Sequence, residues 1–227
     1  MPTVSLKPLS RSATIDLAVQ LAPSAWLSTL QILTRYVHGN PLVLAELLTE
    51  IEPYQRPGVD WLTLPPRSTP TVDAIATAQI RDLDEGQTTL LQTIALSPAT
   101  HVAALRQLTP ESADLLDDLA DLAFVRVHGA YVSVVDPRVR MHLHWGLASR
   151  TRRERLAELA ELTEPFDPHL AVWCRSSGLT DPSKTDELLE ASAQPSRTTA
   201  STRPSSWPRN LWAEPTTCRD TAPGSPI

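Results

Sequence analysis

The sequence predicts a mainly α-helical protein with one small β-hairpin, and three observations carry that prediction. Apolar residues recur at helical spacing from about Ser10 to Ala193. Gly, Pro, Asn and Ser stand where such stretches begin and end. A single segment, Phe124 to Val135, instead gathers β-branched and aromatic residues around a Gly turn.

The first helix is expected from about Ser10 to Ala22, with Ile15, Leu17, Ala18 and Leu21 as its apolar set. Pro23 and Ser24 mark a boundary, and Ser24 is placed to cap a second helix, Ala25 to Tyr36. Gly39 and Asn40 are residue types that end a helix in the left-handed conformation, and Pro41 suits the first turn of a third, Leu42 to Ile51. Residues 53–70 hold five prolines (Pro53, Pro57, Pro65, Pro66 and Pro70) and read as a linker. Helical spacing resumes at Thr71 and leads into a helix from Gly86 to Leu96. Helices at His101 to Leu108 and Glu111 to Leu122 follow. A hairpin with its turn at His128-Gly129 then closes residues 71–136 into a winged-helix arrangement. Helices at Arg138 to Ala148, Thr151 to Leu162, Phe166 to Ser177 and Lys184 to Ala193 would start an α-solenoid of the tetratricopeptide type, residues 137–193. Residues 194–227 are rich in Pro, Ser, Thr and Arg and poor in aliphatic residues, so disorder is expected there. Trp207, Trp212 and Cys218 are odd company for a flexible tail, which points to translation of a shifted reading frame.

Composition narrows the function. The chain has 227 residues, 41% of them hydrophobic, and a net charge of −6. That balance argues against broad electrostatic binding to nucleic acid or anionic membrane, which needs clustered Lys and Arg. No apolar run reaches the length of a membrane helix and the N-terminus lacks a signal-peptide core, so a cytoplasmic location is expected. The two cysteines, Cys174 and Cys218, have no metal-ligand spacing.

Gly39-Asn40-Pro41-Leu42, followed by Leu44 and Glu46-Leu47, resembles the GNPL…EL segment of large LuxR-type transcription regulators of the STAND class of signalling NTPases. Further segments agree in order. Leu6 to Leu9 resembles the exit from the NTPase core. Leu64-Pro65 with Thr71 to Arg81 resembles the approach to the winged helix. Asp136-Pro137-Arg138-Val139-Arg140 resembles the family's HPLVR, and Arg152-Arg153 with Leu156-Ala157 the helix after it. Asp167-Pro168 through Trp173, then Gly178, Asp181 and Leu188 to Ala193, resembles the start of the repeats. The resemblance implies that residues 1–52 are a helical lid that follows a P-loop ATPase core. It also implies that a helix-turn-helix domain closes the intact protein. No GxxxxGK[ST] segment occurs in this chain. ATP or ADP would therefore be the ligand of the intact parent, with none expected on this chain alone. Its expected partners are the missing core and repeat domains, or a second copy.

The resemblance places Gly39, Asn40 and Pro41 against the nucleotide; the plain alternative is a helix-capping turn. Asp136 stands where the family carries a phosphate-facing histidine, and a carboxylate would repel phosphate. Asp136-Pro137 also reads as an ordinary helix start. The third helix of the winged-helix segment carries Glu111, Asp114, Asp117, Asp118 and Asp121 without a basic residue, which suits a spacer or interaction module over a DNA reader. His142 and His144 cannot meet on one helix face and read as surface histidines, as do His38, His101, His128 and His169. Arg150, Arg152, Arg153 and Arg155 are spaced to pair with Glu154, Glu158 and Glu161. No GxSxG elbow or other catalytic constellation is found, so no enzyme activity is expected. The rival readings are a stand-alone helical adaptor for a protein partner and a winged-helix repressor.

Overall fold

Ten helices and three short strands make up the residues that the computed structural model describes, 7–51 and 64–178. The fold is mainly helical with one small antiparallel sheet. Most of the Pro-rich connection (52–63), the expected helix at Lys184 to Ala193, and the tail with its proposed change of reading frame lie outside the described residues.

Short polar side chains set where helices begin. Ser10 accepts from the Ala13 amide at the start of α1 (Arg11–Leu21). Thr69 does the same for α4 (Pro70–Ile80), with Pro70 at the first turn. Asp84 and Gln87 form a reciprocal capping box on α5 (Glu85–Ala95). Each such cap is worth about 1 kcal/mol. α2 (Leu27–Leu33) departs from expectation. Ser24 does not cap it; Trp26 precedes the helix without a side-chain hydrogen bond. The Ala25 amide is already spent on the Ala22 carbonyl, so the chain makes an extra turn before α2 begins. α2 also stops short of Tyr36, because the Arg35 and Tyr36 amides bond to carbonyls only three residues back and tighten the last turn. α3 spans Pro41–Ile51.

Across the gap at 52–63, Glu46 of α3 accepts from the Thr71 hydroxyl and backbone amide at the start of α4. After α5 comes a strand the sequence reading did not contain, β1 (Thr100–His101), then α6 (Val102–Leu105) and α7 (Ser112–Asp121). The expected hairpin is β2 (Val125–His128) and β3 (Tyr131–Val134), with Gly129 at φ 60 in the connection. The sheet order is β1-β3-β2; Thr100 faces Val132, and His128 faces Tyr131. Helices α8 (Pro137–Gly146), α9 (Ser149–Thr163) and α10 (Pro168–Gly178) complete the chain described.

Three apolar clusters result. Leu30, Leu33, Val37, Val43, Leu44 and Leu47 of the first helices pack with Val72 of α4 and Met141 of α8. Leu91, Ile94, Leu105, Leu116, Leu119, Val125 and Val132 pack with Ala76 of α4 and with Val139 and Leu143 of α8. Leu96, Leu156, Leu159, Ala160, Leu170, Ala171 and Cys174 form the third. Spacings of four put Val139 and Leu143 on one side of α8, while Met141 points the other way. Thus α4 and α8 each contribute to two cores.

The third cluster is tied to the sheet by polar contacts. The Tyr131 hydroxyl donates to Asp167 at 2.8 Å, and the other oxygen of Asp167 accepts from the Leu170 amide in the first turn of α10. Burial, and then Asp167, push the Tyr131 phenol up to about 12. The His101 ring stacks on Phe166 and meets Tyr131 edge-on.

Candidate functional site

The turn before α3 is built around a backbone that requires glycine. His38 (φ 49) and Gly39 (φ 71) both lie in the left-handed region. The Gly39 carbonyl accepts from the Leu9 amide at 2.9 Å, which ties the segment leading into α1 to this turn. A Cβ on Gly39 would come 2.4 Å from the Leu9 carbonyl oxygen. Asn40 is not a left-handed residue that ends a helix, as expected from its type. Its side-chain oxygen accepts from the Leu42 amide at 2.9 Å and the Val43 amide at 3.3 Å, so it caps α3. Pro41 occupies the first turn of α3. Gly39 and Asn40 each have a structural task here that needs no ligand.

Asp136 also has a task. It caps α8 through the Arg138 amide, and its two oxygens meet the Arg138 guanidinium at 3.0 and 2.7 Å. Gln79 of α4 donates to it at 3.2 Å. Burial pulls its carboxyl up, but the hydrogen bonds and charge of Arg138 prevail and hold it below the usual range. A pocket of about 260 Å³ opens beside it, lined by Gln79, Leu122, Ala123, Phe124, Asp136 and Val139. The lining is mostly apolar and its acid is already neutralised by Arg138. Among the described residues, no hydrogen bond or ion pair connects Gly39, Asn40 or Pro41 to Asp136.

The two α8 histidines part company as the helix spacing requires. His142 Nδ1 lies 2.7 Å from Asp73 of α4, which also accepts from Ser68. His144 is not a surface histidine. It is 6% exposed and its Nδ1 has no partner among the described residues. The reason is that α8 is covered on two sides, so alternate positions find different interiors. Burial, with Arg152 and Arg140 nearby, lowers its pKa to about 4. The described residues contain no group of three His, Cys, Asp or Glu arranged to hold a metal ion. Cys174 is a buried free thiol raised to about 12, first by burial, and is correspondingly unreactive. Cys218 lies outside the described residues.

The arginines of α9 divide in the same way. Arg150 pairs with Glu154 at 2.8 Å, as the four-residue spacing predicts. Arg152 and Arg153 make no such pair among the described residues. Arg152 lies over the Trp145 ring, 4.6 Å from its centroid, and Arg67 lies 5.7 Å from the same centroid. The Trp145 indole N–H donates to the carbonyls of Pro65 and Pro66. Sequence reasoning missed this assembly, because 79 residues separate Pro66 from Trp145. The five acids of the α7 region, Glu111, Asp114, Asp117, Asp118 and Asp121, are all exposed.

Compared with models of known families, with curated proteins and with solved structures, the chain finds no match in any of the three.

Proposed function

We propose that this chain is the coupling segment of an ATP-dependent LuxR-type transcription regulator: a helical lid, a winged helix and the first helices of a tetratricopeptide-like array. In this reading it relays nucleotide state within a larger protein and neither hydrolyses ATP nor reads DNA alone. The observation that carries the reading is the apolar surface left on the first three helices. Val19, Leu21, Trp26, Leu27 and Leu42 are each more than 40% exposed. Large apolar side chains gathered on one part of a protein favour a partner surface; the ATPase core is the partner proposed. The order α5-β1-α6-α7-β2-β3 supports the winged-helix assignment, and the α9–α10 pair supports the repeat assignment. The exposed acids on and beside α7 favour a coupling role for that module over DNA contact.

The DNA on either side of the reading frame tests this most directly. A GxxxxGK[ST] segment upstream and a helix-turn-helix downstream are expected. Unrelated genes on both sides would defeat the proposal and leave the stand-alone adaptor, whose partner would cover the same apolar side chains. The purified chain is expected to show no ATP turnover above blank. Turnover that survives Pro41→Ala and Asp136→Ala would place a site elsewhere and overturn the reading.

A further inference from the structure

The chain carries a net charge of −6, with 26 acidic residues against 20 Lys and Arg. Carboxylates are therefore plentiful, and several arginines hold one: Arg138 with Asp136, Arg150 with Glu154, Arg175 with Glu164. The arginines around Trp145 do not. Arg67 and Arg152 both lie over the indole ring, and Arg153 follows Arg152 on α9. No ion pair joins any of the three to a described carboxylate. Arg152 directs one nitrogen toward the carbonyls of His144 and Leu147 at 3.3 and 3.4 Å, and no other described residue accepts from its fork. Arg67 and Arg153 donate no hydrogen bond to a described residue and are exposed.

Like charges placed together destabilise unless something opposes them. Burial, then the charges of Arg153 and Arg67, depress the Arg152 guanidinium. Two of the three are nevertheless held in place. Trp145 is fixed by its two prolyl carbonyls and supplies a π face to Arg67 and Arg152. The N-terminus of α9 lies on the same stretch of chain. Ala148 offers no side-chain cap, and the first turn contains no acidic residue. Its unsatisfied amides and positive dipole end favour the same sign of ligand as the arginines.

We infer that Arg67 and Arg152, held over Trp145, with Arg153 next to Arg152 on α9, form a binding site for a phosphate-type oxyanion. Guanidinium forks match the oxygens of such a group in pairs, and a dianion would relieve the repulsion among the three. The ligand chemistry is a phosphoryl group, carried either by a free solute or by a lipid headgroup. The site is separate from the Gly39 turn and from Asp136, so it stands or falls apart from the function proposed above.

The test is calorimetric titration of the full chain with sodium pyrophosphate in a phosphate-free buffer, alongside flotation with phosphatidylcholine vesicles with and without phosphatidic acid. Saturable pyrophosphate binding, weakened at least tenfold by Arg67→Gln and by Arg153→Gln but unchanged by Arg126→Gln on β2, supports the site with a soluble ligand. Binding confined to vesicles with phosphatidic acid and lost in the same two variants supports it with a headgroup ligand. Both substituted side chains are exposed, so the variants should melt with the parent, and a melting scan checks this. Binding of neither probe, or equal binding by the variants, overturns the inference.

Discussion

The first three helices and the sheet-bearing part of the molecule treat apolar side chains differently. Helices α1 to α3 bury one set, Leu30, Leu33, Val43, Leu44 and Leu47, and leave a second set in solvent. Five of the ten large apolar residues exposed among the described residues fall in this first region. The part from α5 to β3 closes its core from both sides and presents acids outward on α7. The contrast is one of degree, since Leu122 and Val127 are exposed in the sheet-bearing part as well. A helix exposed on one face needs a single apolar stripe; α1 to α3 carry more than that, which fits the partner surface proposed above.

The largest expected effect comes from the closed core. Leu91 is fully buried in the second cluster, and Leu91→Ala should cost about 3 kcal/mol in urea unfolding. If the loss is well under 1 kcal/mol, that core is not the better packed of the two. His144 should act next, and through pH. Its pKa falls from an ordinary 6.5 unfolded to about 4 folded. The stabilisation from keeping it neutral is complete above pH 6.5 and drains away as pH falls through 4, to a total of about 3 kcal/mol. Melting scans of the parent and His144→Asn between pH 7 and pH 4 should differ in slope in that window; parallel curves would refute it. Gly39→Ala forces a Cβ toward the Leu9 carbonyl at a left-handed φ and should cost about 2 kcal/mol. Hydrogen exchange should locate that loss at Leu9 and the α3 start. The smallest effect belongs to the apolar set left in solvent. Leu42→Ser and Trp26→Ser should change stability by less than about 0.5 kcal/mol while lowering binding of an apolar dye. A large stability loss would mean that this set is already covered.

Much of the helical frame is legible in the sequence, and the reason is local. Ser10 and Pro41 act within one turn of their own position and mark helix starts by residue type; Thr69-Pro70 and Asp84 do the same, yet reading 53–70 as a linker and the next helix from Gly86 passes over both. Asn40 shows the limit of that logic. The same residue type suits the end of one helix and the beginning of the next, and the Leu42 and Val43 amides decide between them. β1 escaped notice because two residues carry no periodicity; it exists only by pairing with β3. The burial of His144 and the clamp of Trp145 depend on partners far along the chain, and no spacing rule reaches that distance. Resemblance alone marks the candidate nucleotide residues Gly39, Asn40, Pro41 and Asp136. Residue type does not reveal the contacts that occupy them, Leu9 for Gly39 and Arg138 for Asp136.

One feature of α8 bears on how the molecule comes apart. Met141 belongs to the first cluster and Val139 and Leu143 to the second, while the Arg140 guanidinium donates to the Ala95 carbonyl at the end of α5 and lies near Tyr36 of the α2–α3 turn. Peeling α8 away would open both cores in the same event. The residues from α1 to α8 should therefore melt in one cooperative transition, with coincident curves from probes in either core, and a protease that cuts between α7 and α8 should release no folded half.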